Sequence, residues 1–276
     1  MNSEKNNKEE NITDETIIEA NKIAWGKIAQ DHYESYKIKL AQDDFKLNPI
    51  VEEELGDVTG KKILHLQCNT GADTILLARK GAIVTGVDLV PENIFYARKL
   101  AEDFGVYNVD FIEADVLKLM EVHTGNYDIV MTTDGVLGWL PDLDQWGKVI
   151  AHYLKNEGYF YLHDSHPFML IFDESALPEG KLIPKYPYFK MTPDMDKFIG
   201  GYASETKEAD NYFWGHQLST IINGLLCGNL FISYIKEYDR CVQGMGGSTV
   251  DEKGLSYYPE LEGKIPLVFS LKAVKK

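Results

Sequence analysis

Only three cysteines, Cys68, Cys227 and Cys241, occur in 276 residues. They are odd in number and far apart, which excludes a disulfide framework and the paired spacing of a zinc site. They are expected as reduced thiols, mostly buried. Positive charge is also scarce, with 28 Lys and Arg against 43 Asp and Glu, a formal net charge of −15. Basic residues gather only in pairs such as Lys61-Lys62 and Lys275-Lys276, so neither nucleic acid nor an anionic membrane surface is an expected partner. The start, 1–15, is polar and lacks the apolar stretch of a secretion signal or a membrane span. It is expected to be disordered, and the protein to stay in the cytoplasm.

What is present is ordinary for a soluble globular chain: 44% hydrophobic and 26% charged residues, enough apolar surface for one α/β core. Region 16–60 reads as a helical cover. Ile17, Ile18, Ala24, Trp25, Ile28, Ala29, Tyr33, Tyr36 and Leu40 recur at roughly helical spacing. Thr13 can cap that helix, and Asp14 and Glu15 suit the positive end of its dipole. It either packs on the main domain or serves as a lid.

From 61 onward, in the core expected over 61–276, strand and helix patterns alternate, which implies parallel strands with crossover helices. Strands are expected at 63–66, 82–87, 109–112, 127–132 and 159–163, with helices at 70–80 and 143–154. Over 165–211 the alternation stops, and Pro167, Pro178, Pro184, Pro187 and Pro193 mark a long aromatic-rich insertion after the fifth strand. A helix at 216–226 and strands at 230–238 and 267–274 would complete seven strands.

Chemistry concentrates where the first strands end. His65-Leu66-Gln67-Cys68-Asn69-Thr70-Gly71 is a strand-loop-helix junction, where backbone amides and a helix N-terminus face a ligand at the carboxyl edge of the sheet. Asp88 ends the second strand, placed to accept the hydroxyls of a ribose diol or to cap the helix after it. Asp115 follows the third, where it can receive an adenine amino group or cap the segment behind it. Thr132, Thr133 and Asp134 end the fourth, where a cofactor's reactive end and a substrate should meet.

With these residues in order, the chain resembles the class I, Rossmann-like methyltransferases that use S-adenosylmethionine and release S-adenosylhomocysteine. The likeness is most specific over about 61–165. It implies a doubly wound α/β fold with a mostly parallel seven-stranded sheet. It also implies in-line transfer of a methyl group to a small-molecule acceptor. The family's acidic residue and glycine-rich loop, D/E-x-G-x-G-x-G, is altered here: His65 stands for the acid, Gln67 and Asn69 for two glycines, and only Gly71 remains. Asn tolerates the left-handed backbone better than Gln does. A narrower likeness, to bacterial methyltransferases with a His-Leu-Gln-Cys loop, rests on Gly135-Val136-Leu137-Gly138-Trp139-Leu140-Pro141-Asp142-Leu143 and Phe160-Tyr161-Leu162-His163-Asp164-Ser165-His166-Pro167.

Carried over position by position, the resemblance puts His65, Gln67, Asn69 and Gly71 along the methionine portion and Asp88 on the ribose. Leu89, Ala114, Asp115 and Val116 fall around the adenine, and Thr132 beneath the sulfonium. Trp25 and Tyr33 resemble lid aromatics, whose faces would attract a sulfonium. His166 is the candidate general base. Trp139, His163, Tyr188, Tyr202 and Trp214 are the candidate pocket for the acceptor, and no metal is expected. Two other readings stay open: a catalytically silent nucleotide-binding or interaction protein, and an NAD-dependent oxidoreductase, against which the loop lacks G-x-G-x-x-G.

Overall fold

The computed structural model describes residues 13–275. Of the start expected to be disordered, 1–12 lie outside the described residues. Thr13 accepts a hydrogen bond from Thr16 N as the N-cap of α1 (Asp14–Leu40), whose first turn carries Asp14 and Glu15. A second, short helix follows, α2 (Pro49–Leu55), capped by Asn48, whose side chain accepts from Ile50 N. The spacing of apolar residues had not singled it out.

The core then alternates as β1 (Lys62–Leu66), α3 (Ala72–Arg79), β2 (Ile83–Asp88), α4 (Pro91–Asp103), β3 (Val109–Glu113), α5 (Leu119–Val122), β4 (Tyr127–Thr133), α6 (Leu143–Tyr153) and β5 (Leu154–Ser165). After it come β6 (Asp194–Gly201), β7 (Ser204–Phe213), α7 (Leu218–Cys227), β8 (Phe231–Tyr238), the two-residue strands β9 (Thr249–Val250) and β10 (Ser256–Tyr257), and β11 (Val268–Val274).

Seven strands form one sheet in the order β3-β2-β1-β4-β5-β11-β8. The first five are parallel, and β11 runs antiparallel to both β5 and β8. This is the doubly wound, mostly parallel fold expected. Burial on both faces explains the near-continuous apolar runs of its inner strands. One face packs Ile63, Met131 and Tyr161 under α3 and α4, and the other packs Leu64, Val130 and Phe160 under α6 and α7. The strand order reverses between β1 and β4, so a crevice opens at their carboxyl ends.

The stretch expected as an insertion is not structureless. It contains the antiparallel hairpin β6–β7, whose Ile199 and Ala209 pack on Ala24 and Ile28 of α1. The side chain of Asn21 fastens the two, donating to Tyr212 O at 2.9 Å and accepting from Tyr212 N at 2.7 Å. Helix and hairpin together form a cap over the crevice. Cys68 and Cys241 are buried and Cys227 is exposed, all three as free thiols. Among the described residues no helix is long and apolar enough to cross a membrane.

Candidate active site

A cleft of about 1480 Å³ lies between the carboxyl edge of the sheet and the cap. Its floor is the loop after β1, and its backbone decides the geometry. Gln67, Asn69 and Gly71 all have positive φ, at 55°, 51° and 77°. The side chains hold the conformation in place. Gln67 Nε2 donates to Val136 O at 3.0 Å, and Asn69 Oδ1 accepts from Thr70 N at 2.6 Å. Gly71 is a steric requirement besides, since a Cβ there would lie 2.7 Å from the Phe111 ring. The first turn of α3 has no side-chain cap, leaving its amides for a ligand.

Asp88, nearly buried at the end of β2, accepts from Asn69 N at 2.8 Å, Val90 N at 3.0 Å and Asn93 Nδ2 at 3.1 Å. Burial pushes its carboxyl up, and these donors pull it back. Three of its roughly four lone-pair sites are taken, leaving one on Oδ2 for a hydroxyl. Asn93, which the sequence reading missed, supplies a buried acceptor beside it, Oδ1, that has no partner among the described residues. Gln67 Oε1 and Thr70 Oγ1 are likewise buried and unpartnered on the cleft wall. Such acceptors and hydroxyls suit a ligand rich in hydroxyl and amino donors.

Among the other expected residues, His65, Leu89, Asp115 and Val116 line the cleft. Burial pushes His65 down to about 4, so it is neutral, with Nδ1 2.9 Å from Thr74 Oγ1. Asp115 also accepts from Leu117 N at 2.9 Å, so it caps the turn behind it. Trp25 lies edge-on to Trp139 at 5.2 Å, and Trp139 edge-on to Phe213 at 5.4 Å. Tyr188 and Tyr202 complete the aromatic wall.

Six expected residues stand outside the lining. Tyr33 faces α4, stacked on Tyr96 at 5.1 Å with its hydroxyl donating to Asp103 at 2.5 Å. Its neighbour one turn on, Tyr36, faces the cleft instead. Ala114 is engaged through its amide, which donates to Asp88 O at 2.9 Å. Strand alternation buries Thr132, whose hydroxyl donates to Leu66 O at 3.1 Å, while Thr133 and Asp134 line the cleft. Trp214 is buried behind the wall, its amide donating to Gly138 O at 2.8 Å. His166 turns away towards β8, with Nε2 donating to Glu237 Oε1 at 2.9 Å and Nδ1 accepting from Phe168 N at 3.1 Å. His163 is fully buried but reaches the cleft indirectly, through a 2.6 Å hydrogen bond from Nδ1 to Asp134 Oδ1.

Two acids that the sequence reading passed over frame this end. Asp164 gathers the amides of Gly135, Val136, Leu137 and Ser165 at 2.7, 3.2, 2.9 and 2.7 Å, fixing the loop after β4. Asp73, in the first turn of α3, is pushed up to about 7 by burial and by the charge of Asp134.

The family model described as "Methyltransferase domain" matches residues 57–218. The chain is similar to the ubiquinone biosynthesis O-methyltransferase of Shigella flexneri serotype 5b (strain 8401), 26% identical over 238 residues, covering 83% of this chain and 94% of that protein. It is also similar in fold to two solved structures. One is an S-adenosylmethionine-dependent methyltransferase from Mesorhizobium loti (TM-score 0.52, 14% identity, 82% of this chain and 96% of that one). The other is such an enzyme from Clostridium acetobutylicum ATCC 824 (TM-score 0.53, 14% identity, 88% and 91%).

Proposed function

The chain belongs to the methyltransferase-domain family, and from that premise we propose that it is an enzyme transferring the methyl group of S-adenosylmethionine to a small-molecule acceptor. One observation carries the reading: the loop after β1 keeps left-handed backbone at 67, 69 and 71, although the glycines expected at two of those positions are gone. A chain that had lost the need for this floor would have no reason to hold Gln67 in a conformation that costs it ~1–2 kcal/mol.

S-adenosylmethionine supplies an electrophilic methyl group on a positively charged sulfur. This chain's own residues bind and orient. Asp88 Oδ2 and Asn93 Oδ1 would take the ribose hydroxyls, Leu89, Asp115 and Val116 the adenine, and the open first turn of α3 the carboxylate. Trp25 and Trp139 exclude water from the reacting end and offer aromatic edges and faces to it. Within the same proposal the chain is one of the bacterial His-Leu-Gln-Cys group, acts in the cytoplasm, and has neither nucleic acid nor membrane as partner. In it too, α1 and the hairpin serve as the lid of a core running from about 61. The O-methyltransferase name of the relative supports oxygen as the accepting atom.

Calorimetry with S-adenosylmethionine, S-adenosylhomocysteine and NADH tests the reading. Saturable binding of the two sulfur nucleosides without NADH is expected. A well-folded protein that binds neither would refute it.

A further inference from the structure

Among the described residues, Asp134 is the one cleft-lining carboxylate whose position is set by a fully buried histidine. Its backbone is left-handed at φ 62°, followed by Gly135 at 83°, a tight turn that ends β4 at the switch point of the sheet. Asp134 N donates to His163 O at 2.8 Å, and the Asp164 carboxylate clamps the amides that follow. The side chain is held as firmly. His163 Nδ1, 2.6 Å from the acceptor Oδ1, donates to it, and Asn48 Nδ2 makes long contacts with Oδ1 at 3.5 Å and with Nδ1 at 3.4 Å. Oδ2 takes no protein partner among the described residues, and the carboxylate is 23% exposed, into the cleft.

From this geometry we infer that Asp134 is the catalytic base for a hydroxylated aromatic acceptor, with His163 as its positioning residue; the inference rests on the methyltransferase reading above. The acceptor's hydroxyl donates to Asp134 Oδ2 while its ring lies against the aromatic wall of Trp139 and Tyr202. As the oxygen lone pair forms the bond to the methyl carbon, the carbon–sulfur bond breaks with its electron pair staying on sulfur. The O–H bond then breaks, its electrons staying on oxygen, and the proton passes to Oδ2. A carboxylate suffices as base, because the proton becomes strongly acidic once oxygen carries the methyl group.

The partner of Asp134 keeps the proton there. His163 already donates from Nδ1, and a second proton would sit on Nε2, which is buried and has no acceptor among the described residues. The proton leaves from Oδ2 to solvent through the cleft. The surrounding groups point to a neutral hydroxyl as well. Asp73 from α3, His65 from β1, Asp164 and Tyr161 from β5, Tyr36 from α1, Tyr202 from the hairpin and Cys241 lie within electrostatic reach of Asp134, and Lys22, Lys39, Lys46, Lys190 and Lys253 also line the cleft. A preformed phenolate is disfavoured by Asp134 itself, whose unpartnered carboxylate oxygen takes a hydroxyl donor and repels an oxyanion. An amine acceptor is held in its protonated, non-nucleophilic form by the same carboxylates.

The test uses the full chain saturated with S-adenosylhomocysteine and 4-nitrophenol as probe, whose yellow phenolate reports its own ionisation. In the wild type the bound phenol should stay protonated to higher pH, its apparent ionisation shifted upwards by one pH unit or more, tenfold. Asp134→Asn should bind the nucleoside unchanged and lose the shift. His163→Leu should lose most of it, while His163→Asn, whose amide N–H replaces Nδ1–H, should restore it; circular dichroism monitors folding throughout. Equal ionisation in the wild type and Asp134→Asn, a downward shift, or no saturable probe binding to the nucleoside-loaded protein overturns the inference. Failure to bind S-adenosylhomocysteine sinks the cofactor reading instead, and calorimetry without the probe tells the two apart.

Discussion

Replacing Gln67 separately by alanine and by glycine measures the strain held in the loop after β1. Both variants lose the Nε2 hydrogen bond to Val136 O, worth about 1 kcal/mol net, so that term cancels between them. What differs is the backbone. At φ 55° alanine retains the left-handed penalty of ~1–2 kcal/mol, and glycine does not. Glycine's extra freedom in the unfolded chain takes back about 0.5–1 kcal/mol. The glycine variant should therefore be the more stable by about 1 kcal/mol. Glu19, exposed within α1, gives the reference pair, where glycine should be the less stable by about 1 kcal/mol. Urea denaturation of the four variants at one pH gives both differences, and their opposite signs are the signature. If Gln67→Ala is as stable as Gln67→Gly, the loop is not strained and the case built on its preserved form fails.

Asp88→Asn should weaken S-adenosylhomocysteine binding tenfold or more in calorimetry, about 1.5–3 kcal/mol for a lost charge-assisted hydrogen bond, with an unchanged affinity removing Asp88 from the site. His65 is held neutral, its folded pKa of about 4 lying below the ordinary 6.5, so its contribution to stability is complete above pH 6.5 and is lost as pH falls towards 4. His65→Gln should flatten the acid limb of the stability profile by about 1.4 kcal/mol per pH unit in that window, and parallel wild-type and variant profiles would argue against it. A Cβ on Gly147 of α6 would lie 1.9 Å from Gly224 O of α7. Gly147→Ala should therefore lower stability by about 2–3 kcal/mol despite alanine's better helix propensity, and a raised Tm would show that the helices part without cost.

The core was legible because each inner strand, buried on both faces, reads as an apolar run closed by a turn signal. The strand expected at 63–66 is Lys62–Leu66, and that expected at 127–132 is Tyr127–Thr133. The hairpin was not legible, because β6 and β7 are largely exposed and bury just two apolar side chains, Ile199 and Ala209, against α1. Nor could the sequence separate Tyr33 from Tyr36, since both fit the spacing of a helix that covers α4 on one side and the cleft on another. The approach of His163 to Asp134 depends on register. β4 and β5 pair Thr133 with His163, and a pattern of strands says nothing of which residues fall opposite each other. Asp115 shows the opposite limit: capping and lining were both open in the sequence, and the residue does both.

The seam between α1 and the hairpin also has a consequence for how the protein is made. Asn21 leaves the ribosome nearly two hundred residues before Tyr212, the backbone it clasps, so one flank of α1 waits uncovered while the whole parallel core is synthesised. Its other flank has Tyr96 and Asp103 of α4 to dock on much earlier. The roof of the cleft is thus assembled in two instalments, the second so distant in sequence that its closure adds to the contact order and belongs among the late events of folding.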